Sequence, residues 1–80
     1  MHVDVLTPDE TLYSGEVKLI SLPGAKGAFE ILENHAPIIS ALNAGVVKVL
    51  DLNGREHLFH ILKGVVECLK NDISLLVETS

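Results

Sequence analysis

The sequence predicts an all-β fold, an antiparallel β-sandwich of short strands, and three observations carry that prediction. Apolar residues fall into short alternating or β-branched segments rather than into helical stripes. Turn chemistry separates these segments at intervals of about 8–12 residues. No window between the glycines and prolines is long enough for a helix of four turns. The 80 residues make at most one domain. A chain of this size buries only about 60% of its unfolded surface. A core is still affordable, because 48% of the residues are hydrophobic and most of these are Val, Leu and Ile.

Val3 to Thr7 alternates and stops at Pro8, which gives a first strand followed by a turn over Pro8-Asp9-Glu10-Thr11. Leu12 to Leu22 is the second extended region, interrupted by Ser14-Gly15. Its apolar positions do not hold one phase, since Val17 to Ile20 is an odd step. One buried face through Val17, Ile20 and Leu22 therefore requires an extra residue near Lys18-Leu19, a β-bulge. Two glycines three apart, Gly24 and Gly27, mark a tight turn that needs φ > 0. Ala28 to Leu32 has some helical spacing, but its flanking breakers leave room only for a strand. Pro37 disfavours a helical Ala36 and removes a ladder donor, so the chain changes direction at Asn34-His35-Ala36-Pro37.

Ile38 to Leu42 reads as a short strand or a single turn, and Asn43-Ala44-Gly45 reverses the chain. Val46 to Leu52 is β-branched and ends at Asn53-Gly54, the strongest two-residue hairpin signal present. Arg55 to Leu62 returns antiparallel to it. Lys63-Gly64 gives a turn or bend, Val65 to Leu69 a strand, and Lys70-Asn71-Asp72 a compact turn. Ile73 to Glu78 is the last strand.

Charge and motif content exclude several function classes. The net charge is −5 and the six Lys and Arg are scattered, which argues against nucleic-acid binding and against docking on an anionic membrane. No apolar run approaches the roughly 18 residues of a spanning helix, so no direct membrane insertion is expected. Met1-His2-Val3-Asp4 lacks the basic-then-apolar order of a signal peptide. A single cysteine, Cys68, forms no internal disulfide and fits a reducing, cytosolic compartment. Gly24-x-x-Gly27 lacks the Lys-Ser/Thr of a phosphate loop. His57 and His60, three apart on a strand, point to opposite faces and cannot share an ion. Cys68 reads as a small core hydrophobe rather than a nucleophile. No catalytic constellation, cofactor site or metal site emerges.

Lys26, at a turn tip in an acidic all-β chain, invites comparison with lipoyl and biotinyl carrier domains. Those domains carry Asp-Lys-Ala or Met-Lys-Met at the tip and have two similar halves. Here the tip is Ala25-Lys26-Gly27 and the halves differ. A carrier domain modified at Lys26 is the alternative reading, beside a β-sandwich adaptor with another partner.

The stretch from Pro23 to Pro37 gives the main reading. Pro23-Gly24-Ala25-Lys26-Gly27-Ala28-Phe29-Glu30-Ile31-Leu32-Glu33-Asn34-His35-Ala36-Pro37 resembles the Pro-Gly-x-x-Gly-x-Phe-Gly-Ile-Leu-x-Asn-His-Ala-Pro pattern of the F-type ATP synthase epsilon subunit, N-terminal domain. The mitochondrial counterpart is called delta. Thr7-Pro8, Tyr13-Ser14-Gly15-Glu16-Val17, Ala41 to Val47 and Gly64 to Cys68 match further elements in order, so the resemblance covers essentially the whole chain. It implies a non-catalytic β-sandwich of the rotor's central stalk, holding gamma to the c ring on the cytoplasmic face of a bacterial inner membrane. Gly24, Ala25, Lys26, Gly27, Ala28 and Glu30 would face the c ring, and His35, Ala36, Pro37 and Ser40 would lie toward gamma. For His35 there is an equal alternative, in which the imidazole ties its own loop together. Glu30 stands where the family usually has glycine, and Lys63 replaces the first of a usual glycine pair. Longer members continue into a helical hairpin that carries inhibition of ATP hydrolysis and, in some, ATP binding. The resemblance implies neither property for residues 1–80, and so no ATP binding.

Overall fold

The computed structural model describes residues 1–79. Eight strands follow in order: β1 His2–Leu6, β2 Thr11–Leu22, β3 Phe29–Leu32, β4 Ile38–Leu42, β5 Gly45–Asp51, β6 Glu56–Ile61, β7 Lys63–Leu69 and β8 Asp72–Glu78. One layer is ordered β4-β7-β8-β1-β2 and the other β3-β2-β5-β6, with β2 shared between them. The first half of β2 pairs with β1, and its second half pairs with β3 on one side and β5 on the other. This twelve-residue strand turns the two layers face to face.

The all-β sandwich and the strand positions match the sequence reading, and the bulge lies where the phase required it. Val17 lies opposite Asp51 and Leu19 opposite Leu50, so Lys18 is the extra residue on β2. Val17, Ile20 and Leu22 are all at most 1% exposed. Without the slip, Ile20 and Leu22 would turn out to solvent, a loss of about 1.5–3 kcal/mol for each apolar side chain. Val3, Val5, Ile31, Val47, Val49, Val66, Leu75 and Val77 lie in the same core, together with Cys68. Burial raises the Cys68 thiol above its ordinary pKa, as befits a core side chain. Ile38–Leu42 is a strand, not a single turn, because its backbone pairs with β7 from Cys68 to Gly64.

Four details depart from the sequence reading. Ser14-Gly15 does not interrupt β2, because both residues pair with β1, opposite Asp4 and Val3. One pairing is parallel: β1 lies beside β8 in register from His2–Asp72 to Leu6–Leu76. Alternation fixes the buried face of a strand but not its direction, so the sequence carried no signal for this pair. Lys63-Gly64 is no turn; both lie in β7, opposite Glu78 and Val77. A Cβ on Gly64 would come within 2.9 Å of the Leu76 carbonyl oxygen, so the glycine serves close packing.

The fourth departure concerns the two hairpins. Asn53-Gly54 marks the right place, but only Gly54 has positive φ, at 81°. The Gly54 N–H bonds to the Asp51 carbonyl and the Asp51 N–H to the Arg55 carbonyl, which makes a three-residue connection. The Asp51 carboxylate accepts from the Asn53 and Arg55 N–H groups at 2.8 and 2.9 Å. The two-residue turn with positive φ at both positions is instead Lys70-Asn71, at 52° and 63°.

Candidate functional site

The predicted ring-facing turn is fastened by its own backbone. After β2 the Pro23 carbonyl accepts the Asn43 N–H at 2.8 Å, Gly24 bridges to Leu42, and the Ala25 N–H donates to the Ala41 carbonyl at 3.0 Å. A bond from the Gly27 N–H to the Gly24 carbonyl closes the turn. Gly27 has φ 131°, as the sequence required. Gly24 does not have positive φ; it is buried, and a Cβ there would meet the Gly27 carbonyl oxygen at 2.5 Å and the Phe29 ring at 2.7 Å. Ala25, Lys26, Gly27, Ala28 and Glu30 are exposed. Six residues of the turn region, 24 to 29, form one wall of a shallow groove of about 520 Å³ whose other wall is Ile38 to Ala41.

The predicted gamma-facing residues lie on the next connection. A turn from Leu32 to His35, with Asn34 at φ 65°, leads into Ala36 and Pro37 and then β4. Ala36 and Pro37 are exposed, while His35 is half-buried. The His35 Nδ1–H donates to the Ala36 carbonyl at 2.7 Å, so the imidazole does tie its own loop. Ser40 shares the inward phase of β4 with Ile38 and Leu42 and bonds to the Ala41 carbonyl at 3.2 Å. The groove therefore brings Ser40 to the predicted ring-facing turn, while His35, Ala36 and Pro37 lie outside it.

Sequence reasoning missed two features of this end of the molecule. Ile39 is 74% exposed in the groove wall. It lies in the outward phase of β4, opposite to the buried Leu42. Asn34 is gripped by Asn71 of the β7–β8 turn. The Asn34 N–H donates to Asn71 Oδ1 at 2.7 Å, and Asn71 Nδ2 donates to Asn34 Oδ1 at 3.2 Å. No local signal joins residues 37 positions apart.

Two polar networks lie elsewhere. On the outer face of β1 and β2, His2 contacts Asp4 at 3.2 Å and Glu16 at 3.1 Å, and the Ser14 hydroxyl donates to Asp4 at 2.6 Å. The hydrogen bond to Asp4, then that to Glu16, raises the His2 pKa above 6.5. The Ser14 bond leads the causes that hold Asp4 below the usual carboxylate value. At the open edge between layers, His57 Nε2 meets Asp51 Oδ2 at 2.9 Å, and its ring lies 4.8 Å from Tyr13. The His57 bond lowers the Asp51 pKa, while burial, then the Asp51 charge, raises that of Tyr13. His60, on the opposite face of β6, is exposed. Among the described residues, no group of three His, Cys, Asp or Glu side chains is arranged to hold a metal ion.

Comparison with known proteins bears on the family and the fold. Residues 1–80 match the family described as ATP synthase, Delta/Epsilon chain, beta-sandwich domain. The chain is 32% identical over 80 residues to an ATP synthase epsilon chain of Alkalilimnicola ehrlichii and 34% identical to one of Bordetella avium. Each alignment covers all of this chain and 57% of the relative, so the chain spans little more than half the length of these relatives. Among solved structures, a chain of the Euglena gracilis mitochondrial ATP synthase (OSCP/F1/c-ring) superposes with a TM-score of 0.89 at 16% identity, over 96% of this chain and 49% of that one. A chain of the Tetrahymena thermophila mitochondrial ATP synthase central stalk and c ring gives 0.82 at 16% identity, over 99% and 63%. At that identity the likeness concerns the fold.

Proposed function

The chain belongs to the beta-sandwich domain family of the ATP synthase delta/epsilon chain, and from this premise we propose that it is a non-catalytic part of the rotor's central stalk. It links gamma to the c ring of an F-type ATP synthase, at the cytoplasmic face of a bacterial inner membrane. The bacterial relatives support that location. The turn Gly24 to Glu30 meets the polar loops of the ring, and His35, Ala36, Pro37 and Ser40 lie toward gamma. One observation supports this assignment of surfaces: the exposed turn is sewn along the end of β4 by main-chain hydrogen bonds at its entry, residues 23 to 25, and closed on itself by the Gly27–Gly24 bond. A preformed turn loses little conformational entropy on docking, and it transmits force without yielding. Glu30 and Glu33 add orientation through basic groups on the partner more than they add affinity.

The carrier-domain reading at Lys26 is not favoured, since the family match runs through the whole chain. The test is a pull-down of the tagged chain from detergent-solubilised membranes of its own host, with mass spectrometry of the captured proteins. Recovery of gamma and the c ring is expected. A folded, monodisperse chain that recovers neither would overturn the assignment.

A further inference from the structure

Asn71 lies outside both proposed docking segments, yet it is the side chain that holds one of them in place. We propose that Asn71 is a positioning residue for gamma docking, setting the conformation of the Asn34 to Pro37 connection from the tip of the β7–β8 hairpin. The inference rests on the stalk reading and deepens it.

The connection crosses from one layer to the edge of the other, and Asn34, Ala36 and Pro37 are exposed along it. Its internal bonds are the turn bond from the His35 N–H to the Leu32 carbonyl and the His35 imidazole bond to Ala36. The first ties the start of the loop to the end of β3, and the second moves with the loop. Two ties reach outward. One is a loose contact of 3.6 Å between Glu33 and the amino terminus, with the Glu33 side chain 68% exposed, a geometry worth little in water. The other is the two-point clasp with Asn71.

Asn71 is itself immobilised on two sides. It occupies the second position of a two-residue turn at φ 63°, and its carbonyl accepts the His2 N–H at 2.9 Å. The Asn71 side chain thus joins the β7–β8 hairpin to the loop, while its main chain joins that hairpin to β1. Asparagine suits all of these demands. It tolerates the left-handed conformation, and its amide offers a donor and an acceptor on one planar group. Aspartate would keep the acceptor and lose the donor. Glycine would keep the backbone conformation and lose both, so Asn71→Gly removes the clasp without straining the turn.

The test measures binding of the folded chain to purified gamma from the same organism, with thermal stability and amide exchange at residue 34 as companion readouts. Asn71→Gly should weaken gamma binding roughly fivefold, the scale of one net hydrogen bond. It should speed exchange at residue 34 and lower the melting temperature by only a few degrees, with the chain still folded. Asn71→Asp should fall between wild type and Asn71→Gly. Asn34→Gly keeps its own N–H on Asn71 Oδ1 and loses only the bond from Asn71 Nδ2, so it too should fall between wild type and Asn71→Gly, and the double variant should be no worse than Asn71→Gly. Should Asn71→Gly fail to fold, Asn34→Gly carries the test from the other partner. Wild type and Asn71→Gly binding gamma equally would overturn the positioning role while leaving the stalk reading intact. A wild-type chain that does not bind gamma would overturn both.

Discussion

The two connections that flank β3 carry the two proposed docking segments, and they are held by different kinds of bond. Residues 23 to 27 are fixed through the main chain, by bonds to Asn43, Leu42 and Ala41 and by the Gly24–Gly27 closure. Residues 33 to 37 are fixed through side chains, by the Asn71 amide and the His35 imidazole. A main-chain seam tolerates change at exposed side chains but not the addition of a Cβ where backbones touch. A side-chain clasp tolerates backbone freedom but is undone by one substitution. The turn proposed to meet the ring is therefore rigid by construction, and the loop proposed to meet gamma is adjustable from outside itself.

The largest expected effect breaks the main-chain seam. Gly24→Ala places a Cβ 2.5 Å from the Gly27 carbonyl oxygen and 2.7 Å from the Phe29 ring. The carbonyl belongs to the turn that must stay closed, so relief requires the turn to open or the ring to leave its site. Destabilisation of about 1–3 kcal/mol is expected, as for overpacked cores. Chemical denaturation of the two proteins reads it directly. A neutral result would show that the turn is softer than its bonds suggest.

A smaller effect separates the two regions by pH. His2, whose N–H bonds to the Asn71 carbonyl, has its ring between Asp4 and Glu16, and Glu16 also faces the amino terminus at 3.8 Å. Its pKa is raised above 6.5, first by the Asp4 bond and then by that of Glu16. The folded state thus holds the proton more tightly than the unfolded one. That stabilisation is complete below about 6.5 and is lost as pH rises through the folded-state value. Asp4 works in the opposite sense, since its lowered pKa gives stability that is lost as pH falls below about 3.8 and through its folded-state value. His2→Gln should flatten the alkaline limb of the wild-type profile. Equal slopes in the two proteins would remove the ring from the account.

The strands, the core and the bulge at Lys18 were legible because alternation and phase are local properties of the chain. Asn53-Gly54 located a hairpin but mistook its type, because the Asp51 carboxylate caps the turn and settles its geometry. The turn with two positive-φ residues fell on Lys70-Asn71, where the sequence offers no glycine. Its conformation is supported by contacts from residues 34 and 2, far away in the chain. The parallel β1–β8 pair and the Asn34–Asn71 clasp were hidden for the same reason, since each depends on which segments become neighbours only after folding. The turn after β2 was legible, because glycine and proline record backbone demands at their own positions. Gly24 carried the right signal for a different cause, close approach rather than φ.

The smallest expected effect on stability falls on Glu30, and it sharpens the comparison most. Glu30 is exposed on β3 opposite Ser21, beyond the seam that fixes the turn. Glu30→Lys adds no atom to the core and removes none of the turn's bonds, so stability should change by less than about 0.5 kcal/mol. The substitution reverses one charge on the face proposed to meet the ring. If that face docks on basic ring groups, attachment should loosen and coupling in the reassembled enzyme should fall, most clearly at low salt. Unchanged coupling with an unchanged fold would move the contact away from Glu30. Asn71→Gly shares the small effect on stability but acts on gamma binding. Two substitutions that leave the sandwich intact should therefore weaken two different contacts, one through charge at the rigid turn and one through the conformation of the adjustable loop.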